Sequence, residues 1–173
     1  MGSRTALLES LSRHVIVVSD TSPILSLALI GQLDLLRDLY GSIVISEAVW
    51  QEIMATDQGG APEVAQADWI IIRPIDSDVV LKLLLREVDR GEAEAIGLAL
   101  QLSADMLLID ERKARHLAAY LELGVVGLLD VLLEAKQRKL ITSVKPMLDD
   151  LMARARFRLS HKLYQRTLFT AGE

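Results

Sequence analysis

The apolar run VIVV at residues 15–18 constrains the fold more than any other stretch of the chain. Because every residue is apolar, the run predicts a strand over 15–19 that is buried on both faces, as in a parallel sheet with helices on each side. Asp20 follows at the carboxyl end of this strand, where α/β proteins bind ligands. A carboxylate there is costly unless a positive group meets it. Asp20, Thr21 or Ser22 also suits the cap of a following helix, so both interpretations stay open.

Strands and helices alternate along the rest of the chain, which favours a parallel α/β sheet. The patterns predict further strands over 42–45, 69–72, 106–109 and 125–126, and a loop over 57–62. They predict helices over 24–40 with a break at Gly31, and over 47–54, 76–88, 92–102, 111–123, 127–138, 144–156 and 160–169. We expect a single domain over 1–173, with a lead-in at 1–13 and C-terminal helices over 143–173 packed on its body.

Composition narrows the chemistry that the chain can perform. The sequence has no cysteine, which excludes disulfides and thiolate zinc sites, and its three histidines have no ligand spacing. Any metal would therefore be held by carboxylates, which favours Mg²⁺ or Mn²⁺. The sequence has no apolar run long enough to span a bilayer. We expect a cytoplasmic protein with no membrane partner.

Charge is distributed unevenly. The net charge is −5, but residues 136–173 carry +6 and the remainder carries −11. This asymmetry is typical of an acidic, metal-binding centre beside a nucleic-acid surface. Solvated helix faces produce the same counts.

Four carboxylates stand at or near the ends of predicted elements: Asp20, Glu52, Glu92 and Asp110. If the strands at 15–19 and 106–109 are neighbours, Asp20 and Asp110 emerge side by side and repel unless they are protonated or bridged by a cation. Each acid has a structural alternative: a solvated helix position for Glu52, a helix dipole for Glu92, and a helix cap for Asp110. The sequence has no P-loop, no dinucleotide-binding glycine motif and no nucleophile elbow.

Four segments, in order, resemble the PIN domain, a metal-dependent ribonuclease family that includes the VapC-type toxins. They are VSDTSPIL, VISEAVWQEI, DRGEAEAIGLAL and DMLLIDERKAR, and the likeness is to an uncharacterised prokaryotic branch. The resemblance implies a three-layer α/β/α sandwich with a short parallel sheet. It also implies a Mg²⁺- or Mn²⁺-dependent endoribonuclease that hydrolyses single-stranded RNA, serves as the toxin of a toxin–antitoxin pair, forms a homodimer and has an antitoxin partner. The alternative is a catalytically weak PIN-like module that binds RNA or protein.

The resemblance also assigns roles to residues. It implies catalytic roles for Asp20, Glu52, Glu92 and Asp110, metal ligation by Asp20, Glu92 and Asp110, and support from Ser22 and Glu94. Glu47 is the alternative to Glu52, and Glu94 the alternative to Glu92. The chain departs from the family pattern twice, with Glu92 where Asp is common and Leu108 where Thr or Ser often stands. For RNA binding we expect the basic residues Arg112, Lys113, Arg154, Arg156 and Arg158.

Overall fold

The computed structural model describes residues 15–173, so the predicted lead-in at 1–13 lies outside the described residues. The strands are β1 (Val17–Ser19), β2 (Ile43–Ser46), β3 (Ile70–Arg73), β4 (Met106–Leu108) and β5 (Val125–Val126). The helices are α1 (Thr21–Leu29), α2 (Asp34–Tyr40), α3 (Glu47–Ala55), α4 (Ala61–Gln66), α5 (Asp78–Leu84), α6 (Arg90–Gln101), α7 (Arg112–Tyr120), α8 (Leu128–Gln137), α9 (Lys145–Arg154) and α10 (His161–Ala171). No helix in this part of the chain has the length and hydropathy needed to cross a bilayer.

The five strands form one parallel sheet in the order β3–β2–β1–β4–β5. β1 pairs with β2 on one side and with β4 on the other, in the register Val18↔Leu107 and Ser19↔Leu108. Strand order therefore reverses beside β1, and the crevice between β1 and β4 at their carboxyl ends is the usual ligand position in such sheets.

Both faces of the sheet are covered. Val17 and Val18 are consecutive in β1 and both fully buried, as are Leu107 and Leu108 in β4. Because consecutive side chains in a strand point to opposite faces, this pattern requires helices on each side. The long helix α6 packs across β1, β2 and β4. The predicted three-layer α/β/α sandwich is confirmed.

Several predicted boundaries were wrong. The first strand is shorter than 15–19, since Val15 is 45% exposed. The predicted loop over 57–62 already contains the start of α4, and the helix predicted over 76–88 ends at Leu84. The first helix begins three residues earlier than predicted, and α6 begins at Arg90, before the predicted 92.

The C-terminal helices pack against the rest of the protein. α9 contacts α1, and α10 contacts α8. Leu148, Leu151 and Leu168 from these helices belong to the buried hydrophobic core. α9 has no capping side chain of its own at Val144.

Glu173 supplies that missing cap. Its carboxylate accepts hydrogen bonds from the amides of Val144 at 2.6 Å and Lys145 at 3.1 Å, at the start of α9. It also accepts from Ser143 Oγ at 2.6 Å and forms a 2.6 Å ion pair with Lys136. A single side chain thus ties the end of α10 to the beginning of α9 and to α8.

We predict that Glu173→Ala lowers the free energy of unfolding by about 1–2 kcal/mol, because it removes a helix cap and leaves two amides unpaired. Gln165→Ala on the exposed side of α10 is the control and should change stability by less than about 0.5 kcal/mol. Denaturant titration measures both variants. Equal stability of Glu173→Ala and the wild type would contradict the capping role.

Candidate active site

A large open cleft of about 1040 Å³ lies at the carboxyl edge of the sheet, where β1 and β4 end. Seven carboxylates line it: Asp20, Glu52, Asp89, Glu92, Asp110, Glu111 and Asp130. Four arginines also line it: Arg115, Arg156, Arg158 and Arg166. The four acids singled out from the sequence are therefore in one cleft. Carboxylates and arginines therefore line the same cleft, at the edge of the sheet where α/β proteins usually bind ligands.

Asp20 is the most buried of the acids that line the cleft. Its amide donates a 2.9 Å hydrogen bond to the carbonyl of Leu108, which extends the pairing of β1 and β4 by one residue. It occupies the cap position of α1, yet its side chain makes no capping bond, and only 5% of the residue is exposed. Burial, followed by the negative charges of Glu92 and Glu52, raises the pKa of Asp20 to about 7.

Glu92 is held by a reciprocal capping arrangement at the start of α6. Its amide donates to Asp89 Oδ1 at 2.9 Å, and its Oε2 accepts from the Asp89 amide at 3.3 Å. Burial, followed by the charges of Asp89, Glu111 and Glu52, raises the pKa of Glu92 to about 7. Glu92 therefore caps a helix and also shares the electrostatic field of the cleft.

Glu52 projects from α3 toward the first turn of α6. Its Oε2 accepts a 2.5 Å hydrogen bond from Thr21 Oγ1, on the residue that follows Asp20. The carboxylate rests directly on Gly91: a Cβ at that position would lie 2.5 Å from both carboxylate oxygens. Gly91 thus gives Glu52 the space that any other residue would occupy.

Asp110 is oriented by the beginning of α8. Its Oδ1 accepts a 2.9 Å hydrogen bond from the Leu128 amide, whereas its Oδ2 is buried and has no hydrogen-bond partner among the described residues. Burial raises the pKa of Asp110, while the Leu128 amide and the nearby Arg115 guanidinium oppose the shift. Arg115 is itself fixed by a 2.9 Å bond to the Ile109 carbonyl. The cap of α7 is Glu111, so Asp110 does not cap that helix.

The predicted supporting acid Glu94 and the alternative acid Glu47 lie outside the cleft. Glu94 is buried outside the cleft, where Oε2 accepts from the Ala48 amide at 2.9 Å and Oε1 pairs with Arg90 at 3.1 Å. It anchors the beginning of α3 against α6. Glu47, the alternative to Glu52, is exposed and does not line the cleft. Ser22 is exposed at the cleft surface.

Only some of the basic residues predicted to bind RNA lie in the cleft. Arg156 and Arg158 line the cleft, whereas Arg112, Lys113 and Arg154 do not, and Lys113 pairs with Glu87 at 3.5 Å. Arg166, which the sequence places in the basic C-terminal region, also lines the cleft, whereas sequence reasoning missed Arg115. It also missed the cleft acids Asp89, Glu111 and Asp130. A usable pattern existed for Asp89, since D-x-x-E before an apolar helix is a capping-box signature.

The cleft suits a hard divalent cation in donor type and charge, because it offers carboxylate oxygens that repel one another. The unpartnered Oδ2 of Asp110 supports this fit, since a buried carboxylate oxygen normally has a partner. Within residues 15–173, however, no three acidic or histidine side chains already stand in a metal-holding arrangement. Ligation by Asp20, Glu92 and Asp110 therefore requires their side chains to move toward one another.

A family model described as a PIN domain matches residues 16–173. This chain belongs to the PIN-domain family. PIN domains commonly have nuclease activity and typically use divalent metal ions. No curated protein sequence matches the chain. The family match spans both the strand-end acids and the C-terminal helices of the cleft.

The raised pKa of Asp20 predicts how stability depends on pH without metal. A carboxyl whose folded pKa is about 7 binds its proton more tightly when folded than when unfolded. The free energy of unfolding therefore falls as pH rises from about 4 to about 7, with a contribution from Asp20 on the order of 4 kcal/mol.

We expect denaturant titrations in chelator to show this decline, and Asp20→Asn to flatten it because asparagine does not titrate. Asp68→Asn, at an exposed position away from the cleft, is the control and should keep the wild-type slope. A wild type that becomes more stable over this pH range would contradict the assignment.

The contact between Gly91 and Glu52 predicts a change of sign in a double-mutant cycle. In a Glu52→Ala background, Gly91→Ala should stabilise the protein by about 0.5–1 kcal/mol, since alanine is the better helix former. In the wild type, the added methyl displaces the carboxylate from Thr21, so Gly91→Ala should destabilise by about 1 kcal/mol. Thermal or denaturant unfolding of the four proteins measures the coupling. The same sign in both backgrounds would show that the two residues do not compete for space.

Proposed function

We propose that this PIN-domain protein is a Mg²⁺- or Mn²⁺-dependent endoribonuclease that hydrolyses single-stranded RNA. The observation that carries the proposal is the buried, unpartnered Oδ2 of Asp110. It lies in the same cleft as Asp20 and Glu92, whose pKa values are both raised to about 7. These three carboxyl groups lie where the strand order of the sheet reverses, which is the usual ligand position. A divalent cation there would reduce the repulsion between their negative charges.

In this proposal Asp20, Glu92 and Asp110 hold the cation, and Glu52 completes the negative set. When bound in such a site, a divalent cation activates water and offsets the charge of a phosphate in an in-line displacement. Thr21 keeps the Glu52 carboxylate at the cleft, and the start of α8 occupies Oδ1 of Asp110, while the buried Oδ2 has no partner among the described residues. Ser22 supports the set from the first turn of α1.

The protonation of Asp20 and Glu92 is also linked to cation binding in this scheme. With pKa values near 7, each is partly protonated at neutral pH in the metal-free protein. To hold a cation, the two carboxyls would have to release these protons, so metal affinity should rise with pH through this range.

The second candidate is a PIN-like module that binds RNA or protein and cleaves little. The observation that favours it is that no ready-made metal-ligand set exists within residues 15–173. The two candidates differ in whether the acids converge on an added cation. A toxin role with an antitoxin partner, a homodimer and a cytoplasmic location stay predictions.

The metal proposal predicts opposite responses to chelator and cation. Mg²⁺ or Mn²⁺ in excess should raise the melting temperature of the wild type above its value in chelator, because the ion binds only the folded state. Asp20→Asn and Asp110→Asn should lose this increase. Asp20→Asn should also melt higher than the wild type in chelator, since it removes one repelling charge.

Cleavage of a labelled single-stranded RNA measures the activity of the same proteins. We expect both variants to lose at least about 100-fold in rate, while Asp68→Asn, purified identically, keeps wild-type activity and controls for contaminating ribonuclease. RNA binding without cleavage, and without any shift of the melting temperature on adding cation, would support the binding module and contradict the nuclease.

A further inference from the structure

The link between α9 and α10 forms the side of the cleft that is not acidic. Arg156 and Arg158 lie in this link and Arg166 lies on α10, and all three line the cleft. We name these three residues the arginine wall. Among the described residues, none of their guanidinium groups donates a hydrogen bond or joins a salt bridge.

Arg156 has an unfavourable backbone conformation for its residue type. Its φ is +51°, in the left-handed region that glycine adopts without steric cost. The conformation stops α9 and lets the Phe157 amide donate to the Leu151 carbonyl at 3.0 Å. Glycine is the usual residue at such helix ends. The exposed Arg156 side chain makes no polar contact that offsets the strain.

Ser103, Glu122 and Lys139 also have positive φ values, but they lie outside the cleft, whereas Arg156 lines it. The rest of the cleft is acidic, so the arginine wall provides the attraction that an anionic chain needs to approach the carboxylates. Guanidinium groups match phosphate oxygens with paired hydrogen bonds. Phe157, half-buried between the two link arginines, keeps the link packed on the core.

We propose that the arginine wall binds successive phosphates of single-stranded RNA, and that Arg156 is retained for this contact at the expense of stability. The inference rests on the proposed nuclease function, because it explains how RNA is held beside the acids. An RNA strand lies with its backbone on Arg156, Arg158 and Arg166 and one phosphodiester toward Asp20 and Asp110. RNA affinity and protein stability should therefore respond in opposite directions at position 156.

The test compares Arg156→Gly and Arg156→Asn with Arg154→Ala, which removes an equal charge two residues away and outside the cleft. Binding of a fluorescent single-stranded RNA is measured in chelator over a salt series, and melting temperature is measured in parallel. Arg156→Gly should raise the melting temperature by about 2–4 °C, weaken RNA binding about tenfold, and flatten the salt slope by about 0.7. Arg156→Asn, which tolerates a left-handed backbone, should show the same loss of affinity and slope.

Arg154→Ala should keep the wild-type slope. An Arg156→Gly variant that binds RNA like the wild type would overturn the proposal, and so would one that melts lower. The same assay with a labelled poly-glutamate peptide tests for an acidic protein partner: peptide binding that depends on Arg156, with RNA binding that does not, would also overturn it.

The outcome separates this inference from the proposed function. Normal cation-dependent cleavage with unchanged RNA binding in Arg156→Gly contradicts the arginine wall and leaves the nuclease standing. Arg156-dependent RNA binding without cleavage at any cation concentration supports the wall and contradicts the nuclease.

Discussion

Parallel pairing of β1 with β4 is the interaction on which the site depends. On one side β1 pairs with β2, which is the next strand along the chain. On the other side it pairs with β4, which begins more than eighty residues later. The Asp20 amide bonds to the Leu108 carbonyl, so the pairing continues up to the first acid. The second acid, Asp110, follows two residues after Leu108. The register of the two strands, set by fully buried apolar residues on both faces, therefore brings together two carboxylates that electrostatics alone would separate.

Helix N-termini partly offset the repulsion between these carboxylates. Helices that follow parallel strands begin at the carboxyl edge of the sheet, and the positive ends of their dipoles point into the cleft. Asp89 and Glu92 cap α6, Glu111 caps α7, and the amides at the start of α8 bond to Asp110 and Asp130. The compensation is incomplete, because the pKa values of Asp20 and Glu92 stay near 7. A bound cation would supply the charge that the helices do not.

Element types and the strand-end acids could be predicted from sequence because they depend on local patterns. A continuous apolar strand followed by an aspartate indicated Asp20 as a site residue, and the second buried strand indicated Asp110 in the same way. The choice between Glu92 and Glu94 was harder, since residues two apart on a helix point in nearly opposite directions. The structure places Glu92 in the cleft and Glu94 beneath α3. Only the packing of α3 against α6 decides which side faces the site.

The arginines show the same limit. A run of alternating arginines indicated a basic surface, but cleft membership depends on where α9 stops and how the link bends. Arg156 ends the helix with a positive φ, a conformation that a sequence without glycine there does not predict. Arg154, two residues earlier and still helical, lies outside the cleft. Arg115 lines the cleft because of the orientation of α7, and no local sequence pattern indicated it.

The repulsion among the acidic side chains is concentrated in one cleft. Asp20, Glu52, Glu92 and Asp110 are at least eighteen residues apart along the chain, so their repulsion arises only when the chain folds. The strain at Arg156 likewise exists only in the folded state. Both lie in the same cleft, while the core beneath it is apolar and closely packed. Local conflict of this kind is expected where a ligand completes the structure. Because a cation would relieve the repulsion among the acids, its binding would be thermodynamically coupled to the stability of the fold itself.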